Sequence, residues 1–337
     1  MSDTDLSVPQ PTAAQDRLEQ ALFEIRRVIA GQDAMLERVL VALLAGGHLL
    51  IEGVPGLAKT LTIKTAADVL GGSFARIQFT PDLVPSDLVG TRVYRPGDGS
   101  FDTELGPVFT NFLLADEINR APAKVQSALL EVMQEHQVTI GGTTYPVPDP
   151  FLVMATQNPI ESEGTYPLPE AQIDRFMLKV VIGYPERDEE LAIVQRQLVE
   201  RPELRQTLSL DDLRGLQRAV TGVYVDPALI GYAVELARAT REPEAHGLGG
   251  LAEYLSFGAS PRGPISLVQA SRALALVRGR DYALAEDLQA LAKDALRHRL
   301  ILTYQALAED VGADSILDAV LAAVPVPQTD LARPSAA

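Results

Sequence analysis

The chain has 337 residues, 47% hydrophobic and 22% charged, the profile of an ordinary globular protein with room for two domains. The absence of cysteine excludes disulfides, thiolate metal sites and a cysteine nucleophile, and fits a reducing cytoplasm as the expected location. A formal net charge of −16 argues against any general grip on nucleic acid, which needs clustered Lys and Arg.

Residues 1–14 are rich in Ser, Asp, Pro and Thr and read as a disordered tail, too polar and acidic for an export signal. In AAQDRLEQALFEIRRVIAG, Leu18, Leu22, Ile25 and Ile29 recur at helical spacing up to Gly31, and QDAMLERVLVALLAGG reads as a second helix. The apolar run from Val39 to Ile51 is interrupted by Gly46-Gly47-His48 and is too short to span a bilayer, so no membrane span is expected. HLLIEG is a short strand that runs into GVPGLAKT (53–60), and KTLTIKTAADVLG continues as a helix. Four further strand-length apolar runs follow: FARIQF (74–79), NFLLAD (111–116), FLVMAT (151–156) and FMLKVVI (176–182). Apolar strands alternating with helices imply an α/β fold with a parallel sheet covered on both faces. TRVYRPGDGSFDTEL and HQVTIGGTTYPV, each pivoting on glycines, read as hairpins. After Tyr184-Pro185 every periodic segment is helical, which places a boundary near 185. The four histidines, His48, His136, His246 and His298, lack ligand spacing and read as surface or packed side chains.

Strand, glycine-rich turn, helix is the setting of a phosphate-binding loop. In such a loop the backbone of Gly53, Val54, Pro55, Gly56, Leu57 and Ala58 cradles phosphates. Lys59 then reaches the terminal phosphates, and the Thr60 hydroxyl binds Mg²⁺. Ala58 stands where the pattern has its second glycine; one methyl is tolerable if that residue is helical. The bland alternative is a plain turn with an exposed lysine. NFLLADE carries more weight, because an apolar strand ending in two carboxylates is costly unless the acids are paired or metal-bound. Asp116 suits a contact to Mg²⁺, and Glu117 suits a base that polarises an attacking water, although two acids can also simply open a helix. Asn158, just past another strand, can orient that water; alone it is an ordinary turn residue. Arg175 precedes the last strand and Arg262 opens a late helix. Either can contact a γ-phosphate, and either taken singly is more often a surface ion pair.

In this order, Lys59-Thr60, Asp116-Glu117, Asn158, Arg175 and Arg262 resemble Walker A, Walker B, sensor 1, arginine finger and sensor 2 of an AAA+ ATPase. EGVPGLAKT, QFTPDLVPSDLVG, GPVFTNFLLADEINRAPAKVQSALLEVMQE, ATQNPIESEGTYPLPEAQIDRFMLK and GASPRG are similar to signatures of its MoxR branch, over roughly residues 20–325. The resemblance implies a P-loop NTPase core (15–185), a five-stranded αβα sandwich of strand order 5-1-4-3-2. It implies a helix-2 insert near 91–107, a pre-sensor hairpin near 136–148, a linker and small all-helical lid over 186–325, and a flexible tail from 326. It also implies ATP and Mg²⁺ as ligands, a hexameric homo-oligomeric ring, and chaperone-like remodelling of client proteins with a partner that carries a von Willebrand factor A domain. A subunit resembling the magnesium chelatase ATPase is the runner-up within the fold, and a nucleotide-dependent scaffold with little turnover is the alternative outside enzymology. The acid balance weighs against a DNA-directed motor, and the lack of an Asn-Lys-x-Asp stretch weighs against a GTPase.

Overall fold

The computed structural model describes residues 11–328 apart from 30, 54–58, 98, 159–163 and 200–201. Two helices come first, α1 (Pro11–Val28) and α2 (Asp33–Leu44). Proline is well suited to a first helical position, where its missing N–H would be unpaired anyway. Pro11–Ala14 therefore belong to α1 rather than to the leading tail in which their composition put them. Then follow β1 (Leu49–Gly53), α3 (Lys59–Leu70), β2 (Phe74–Gln78) and the short α4 (Pro85–Val89). A hairpin of β3 (Gly90–Arg95) and β4 (Ser100–Leu105) leads to β5 (Phe112–Asp116) and α5 (Ala123–Glu135). A second hairpin, β6 (Gln137–Ile140) with β7 (Thr143–Pro146), precedes β8 (Leu152–Gln157). The short α6 (Glu170–Ile173) and β9 (Leu178–Ile182) complete the α/β part.

Five strands pair in parallel in the order β2-β5-β8-β1-β9, which is the order the resemblance implies. Successive side chains of a strand face opposite sides, and in the central strands β5, β8 and β1 both sides are dry, while the edge strands β2 and β9 stay partly exposed. Leu49, Ile51, Phe112, Leu114, Leu152 and Met154 pack towards α1, α2 and α3. Their neighbours Leu50, Leu113, Ala115, Val153 and Ala155 pack towards α5. Two-sided burial is why the central strands read as nearly unbroken apolar runs.

The chain after β9, where the linker and lid are expected, is mainly helical, with α7 (Arg187–Gln197), α8 (Leu210–Thr221), α9 (Pro227–Arg241), α10 (Arg262–Val277), α11 (Ala285–Leu296), α12 (Tyr304–Ala308) and α13 (Ala313–Ala323). Two of these helices begin at side-chain caps: Ser209 accepts from the Asp212 N–H, and Asp226 accepts from the Ala228 N–H ahead of Pro227. Besides helices the lid holds an antiparallel ribbon, β10 (Leu255–Phe257) with β11 (Ile301–Leu302). Strands of three and two residues are too short for alternation to show in a sequence. The buried faces of α8, α9, α10 and α11 join the same core as α1–α3, so the lid rests directly on one face of the sandwich. Arg38 of α2 adds an ion pair to Asp294 of α11 at 2.7 Å. Among the described residues no helix is long and apolar enough to cross a membrane.

His48, just before β1, is packed rather than exposed. Its Nδ1 accepts the Val153 N–H at 3.1 Å and its Nε2 donates to the Met133 carbonyl at 3.1 Å, which fixes the neutral ring. Burial pushes its pKa down to about 4, with the nearby His136 adding to the effect and the Met133 bond opposing it. Below pH 6.5 the unfolded chain takes up a proton that the folded chain refuses until about pH 4, so stability falls across that window. Urea unfolding should show His48 contributing about 3 kcal/mol of loss between those limits. His48→Gln should flatten the profile by a similar amount. The same pH dependence in both proteins would contradict the assignment.

Candidate functional site

The parallel register brings the carboxyl ends of the strands into one row. Gln78 lies against Asp116, Ala115 against Ala155, Ile51 against Thr156, and Gly53 against Ile182. Loops at this edge of an open α/β sheet form a crevice where ligands bind.

Asp116 ends β5 with 17% of its side chain exposed. Its Oδ1 accepts from the Thr156 hydroxyl at 2.6 Å, and its Oδ2 accepts from Arg76 at 2.7 and 3.2 Å. Glu117 follows in the left-handed region, φ 57° and ψ 50°. A side chain there costs about 1–2 kcal/mol over glycine, a strain typical of sites where direction matters. The turn is held by the Glu117 N–H donating to Thr156 Oγ1 at 2.9 Å. The carboxylate of Glu117 accepts from Gln78 Nε2 at 2.7 Å and pairs with Arg120 at 3.0 Å.

Lys59 opens α3, and its ammonium donates to the Gly53 carbonyl at 2.6 Å. Burial lowers its pKa, while the carboxylates of Asp116, Glu117 and Glu52 pull it back up, so the cation sits in the field of the two strand-end acids. Thr60, next on α3, is half-buried, and Asn158 is buried directly after β8. Val54, Pro55, Gly56, Leu57 and Ala58 lie outside the described residues. Arg175 is half-buried between α6 and β9, and among the described residues its guanidinium has no partner. Arg262 is the first residue of α10, half-exposed, with Nε 3.9 Å from Asp174.

The structure thus brings Lys59, Asp116 and Glu117 together, sets Asn158 on the same edge, and carries Arg262 beside the segment that ends in Arg175. The donors suit the group the motif calls for. Thr60 and Asp116 offer a hydroxyl and a carboxylate, hard oxygen ligands of the kind Mg²⁺ takes when phosphate and water complete its shell. Among the described residues no cluster of three His, Asp or Glu could hold a metal by itself. Arg76, Gln78, Arg120 and Thr156 were missed in the sequence. Thr156 lies within the strand run FLVMAT, and Arg76 and Gln78 within FARIQF, but no spacing ties them to acids 39 or 40 residues away.

A model described as "ATPase family associated with various cellular activities (AAA)" matches residues 48–178, and an AAA lid domain model matches 251–320. Chaperone MoxR1 of Mycobacterium tuberculosis is 57% identical over 313 residues, which cover 93% of this chain and 83% of that protein. The chain belongs to the MoxR family of AAA+ ATPases. Protein MoxR of Methylorubrum extorquens is 32% identical over 90% of this chain and 93% of its own. A crystal structure from Cytophaga hutchinsonii, described as a candidate ATPase, matches with a TM-score of 0.89 at 46% identity, over 94% of this chain and 97% of that one.

In this MoxR family member the Thr156 hydroxyl is the tie between both strand-end acids. Thr156→Val keeps the shape and removes the hydroxyl, leaving Asp116 and the Glu117 N–H each short of a partner. Stability to urea should fall by about 1–3 kcal/mol. Thr156→Ser should lose clearly less. Equal losses for Val and Ser would show that the methyl, not the hydroxyl, is what the site needs.

Proposed function

We propose that the protein binds ATP with Mg²⁺ at this edge and hydrolyses it between the subunits of a hexameric ring, to remodel or mature partner proteins in the cytoplasm. The observation that carries the reading is the Lys59 ammonium at the start of α3, held within the field of Asp116 and Glu117. A helix start and a lysine favour phosphate, and a paired set of acids opposite favours a cation and a general base.

In this reading the backbone of Gly53, Val54, Pro55, Gly56, Leu57 and Ala58 cradles the phosphates and Lys59 neutralises their terminal charge. Thr60 and Asp116 hold Mg²⁺, which when bound offsets charge on the phosphate oxygens. Glu117 takes the proton of the attacking water, and Gln78 and Arg120 keep its carboxylate aimed. Asn158 orients the same water. Arg175 reaches the γ-phosphate of the neighbouring subunit, and Arg262 contacts that of its own. A protein with a von Willebrand factor A domain is the partner we expect beside the client.

Lys59→Ala should abolish tight ATP binding in calorimetry, because the backbone alone leaves phosphate charge uncompensated; near-wild-type affinity would sink the assignment. Glu117→Gln should bind ATP normally and release phosphate about 10² to 10⁴ times more slowly. Unchanged turnover at saturating ATP would leave Glu117 as a helix-start acid, whereas negligible phosphate release by the unaltered protein would favour the nucleotide-dependent scaffold. ATP bridging two subunits should also drive assembly by linkage. A monomer in light scattering at micromolar protein, with and without ATP, would count against the ring.

A further inference from the structure

Directly after α11, Arg297, His298 and Arg299 form a 3-10 turn, and all three side chains bond to the stretch from Asp174 to Lys179 that carries Arg175 into β9. Arg297 donates to the Lys179 carbonyl at 2.6 Å, and His298 Nε2 donates to the Phe176 carbonyl at 3.0 Å. Arg299, with 1% of its side chain exposed, does most. Its Nε donates to Asp174 Oδ1 at 2.7 Å, and its Nη2 donates to the carbonyls of Asp174 at 3.1 Å and Phe176 at 2.9 Å. The main-chain carbonyls on both sides of Arg175 are therefore held by one planar guanidinium. On the lid side the same group donates to Ser266 Oγ at 3.2 Å and to the Ala295 carbonyl.

Asp174 is held from a second direction. The Ser260 hydroxyl lies 3.0 and 2.9 Å from its two carboxylate oxygens and accepts in turn from the Arg262 N–H at 3.2 Å. A buried ion pair is weak evidence of stabilisation, because desolvation offsets much of its attraction; apolar contact would bind the lid as well. What apolar contact cannot do is fix direction, and the guanidinium fork does so at three points around one residue.

We propose that Asp174 and Arg299 are positioning residues that aim Arg175 and join it to the lid of its own subunit. Movement of the lid that carries Arg262 over its own nucleotide is thereby passed to the arginine offered to the neighbour. The proposal rests on the reading of Arg175 as a residue acting across subunits.

The test compares Asp174→Asn, Arg299→Lys and Ser260→Ala with Arg175→Ala, all in the full chain, by ATP affinity and by turnover at saturating ATP. A misaimed Arg175 leaves the protein's own pocket intact. ATP affinity should therefore hold while kcat falls about 10- to 100-fold in Asp174→Asn and Arg299→Lys. Ser260→Ala removes one half-buried hydroxyl and keeps the ion pair, so it should fold as wild type and still lose turnover. Wild-type turnover in Ser260→Ala or Asp174→Asn overturns the proposal. So does a loss that lies in ATP affinity with kcat unchanged, which a merely structural role would give. Full turnover in Arg175→Ala would instead remove the arginine reading on which the proposal stands.

Discussion

The register of β8 against β5 carries Thr156 to Asp116, and the rest of the edge depends on that placement. Ala115 opposite Ala155 sets the Thr156 hydroxyl 2.6 Å from the Asp116 carboxylate and 2.9 Å from the Glu117 N–H. A slip of one residue would send Thr156 to the other face and bring Ala155 or Gln157 into its place. An acid as buried as Asp116 is tolerable only with such partners, and Thr156 and Arg76 supply them on separate oxygens. The left-handed turn at Glu117 is strained, and the bond to Thr156 together with Gln78 and Arg120 holds it. One hydroxyl thus stabilises a carboxylate, a strained turn and the direction of a second carboxylate.

The lid is fastened to the core in two ways. Apolar burial of α8–α11 against α1–α3 is broad and undirected, and supplies attachment. The grip of Arg297, His298 and Arg299 on residues 174–179 is narrow and directed, and supplies aim. His298 is neutral there, its pKa pushed well below the usual value by burial and by the adjacent Arg299, so the segment carries no third cation to unbalance it. Helix faces of α2 and α11 pack on β9, while the short polar turn after α11 grips the main chain around Arg175.

The architecture was legible in the sequence because burial leaves a pattern. Two-sided strands such as β5 are apolar up to the acid that ends them, and the segments after Tyr184-Pro185 keep a helical period. Lys59, Asp116 and Glu117 were legible because their chemistry is unusual at strand ends and helix starts. Arg76, Gln78 and Thr156 were not, since they gain meaning only from strands paired across about 40 positions of chain. Arg299 reads as one cation in a helix-end cluster, and only the fold shows it buried against Asp174, 125 residues earlier. The ribbon β10–β11 was illegible because it is shorter than any period.

The proposed function requires a site shared by two subunits, and subunit mixing tests that most directly. If Arg175 acts across subunits as proposed, Lys59→Ala has a dead pocket and a sound Arg175 to lend, whereas Arg175→Ala has a sound pocket and nothing to lend. Mixed, with exchange of subunits verified, the two inactive proteins should form some complete pockets and regain part of the ATP turnover. Lys59→Ala mixed with Arg262→Ala should regain none, because both defects fall within a subunit's own pocket. A dead first mixture, or recovery in the second, would contradict the account.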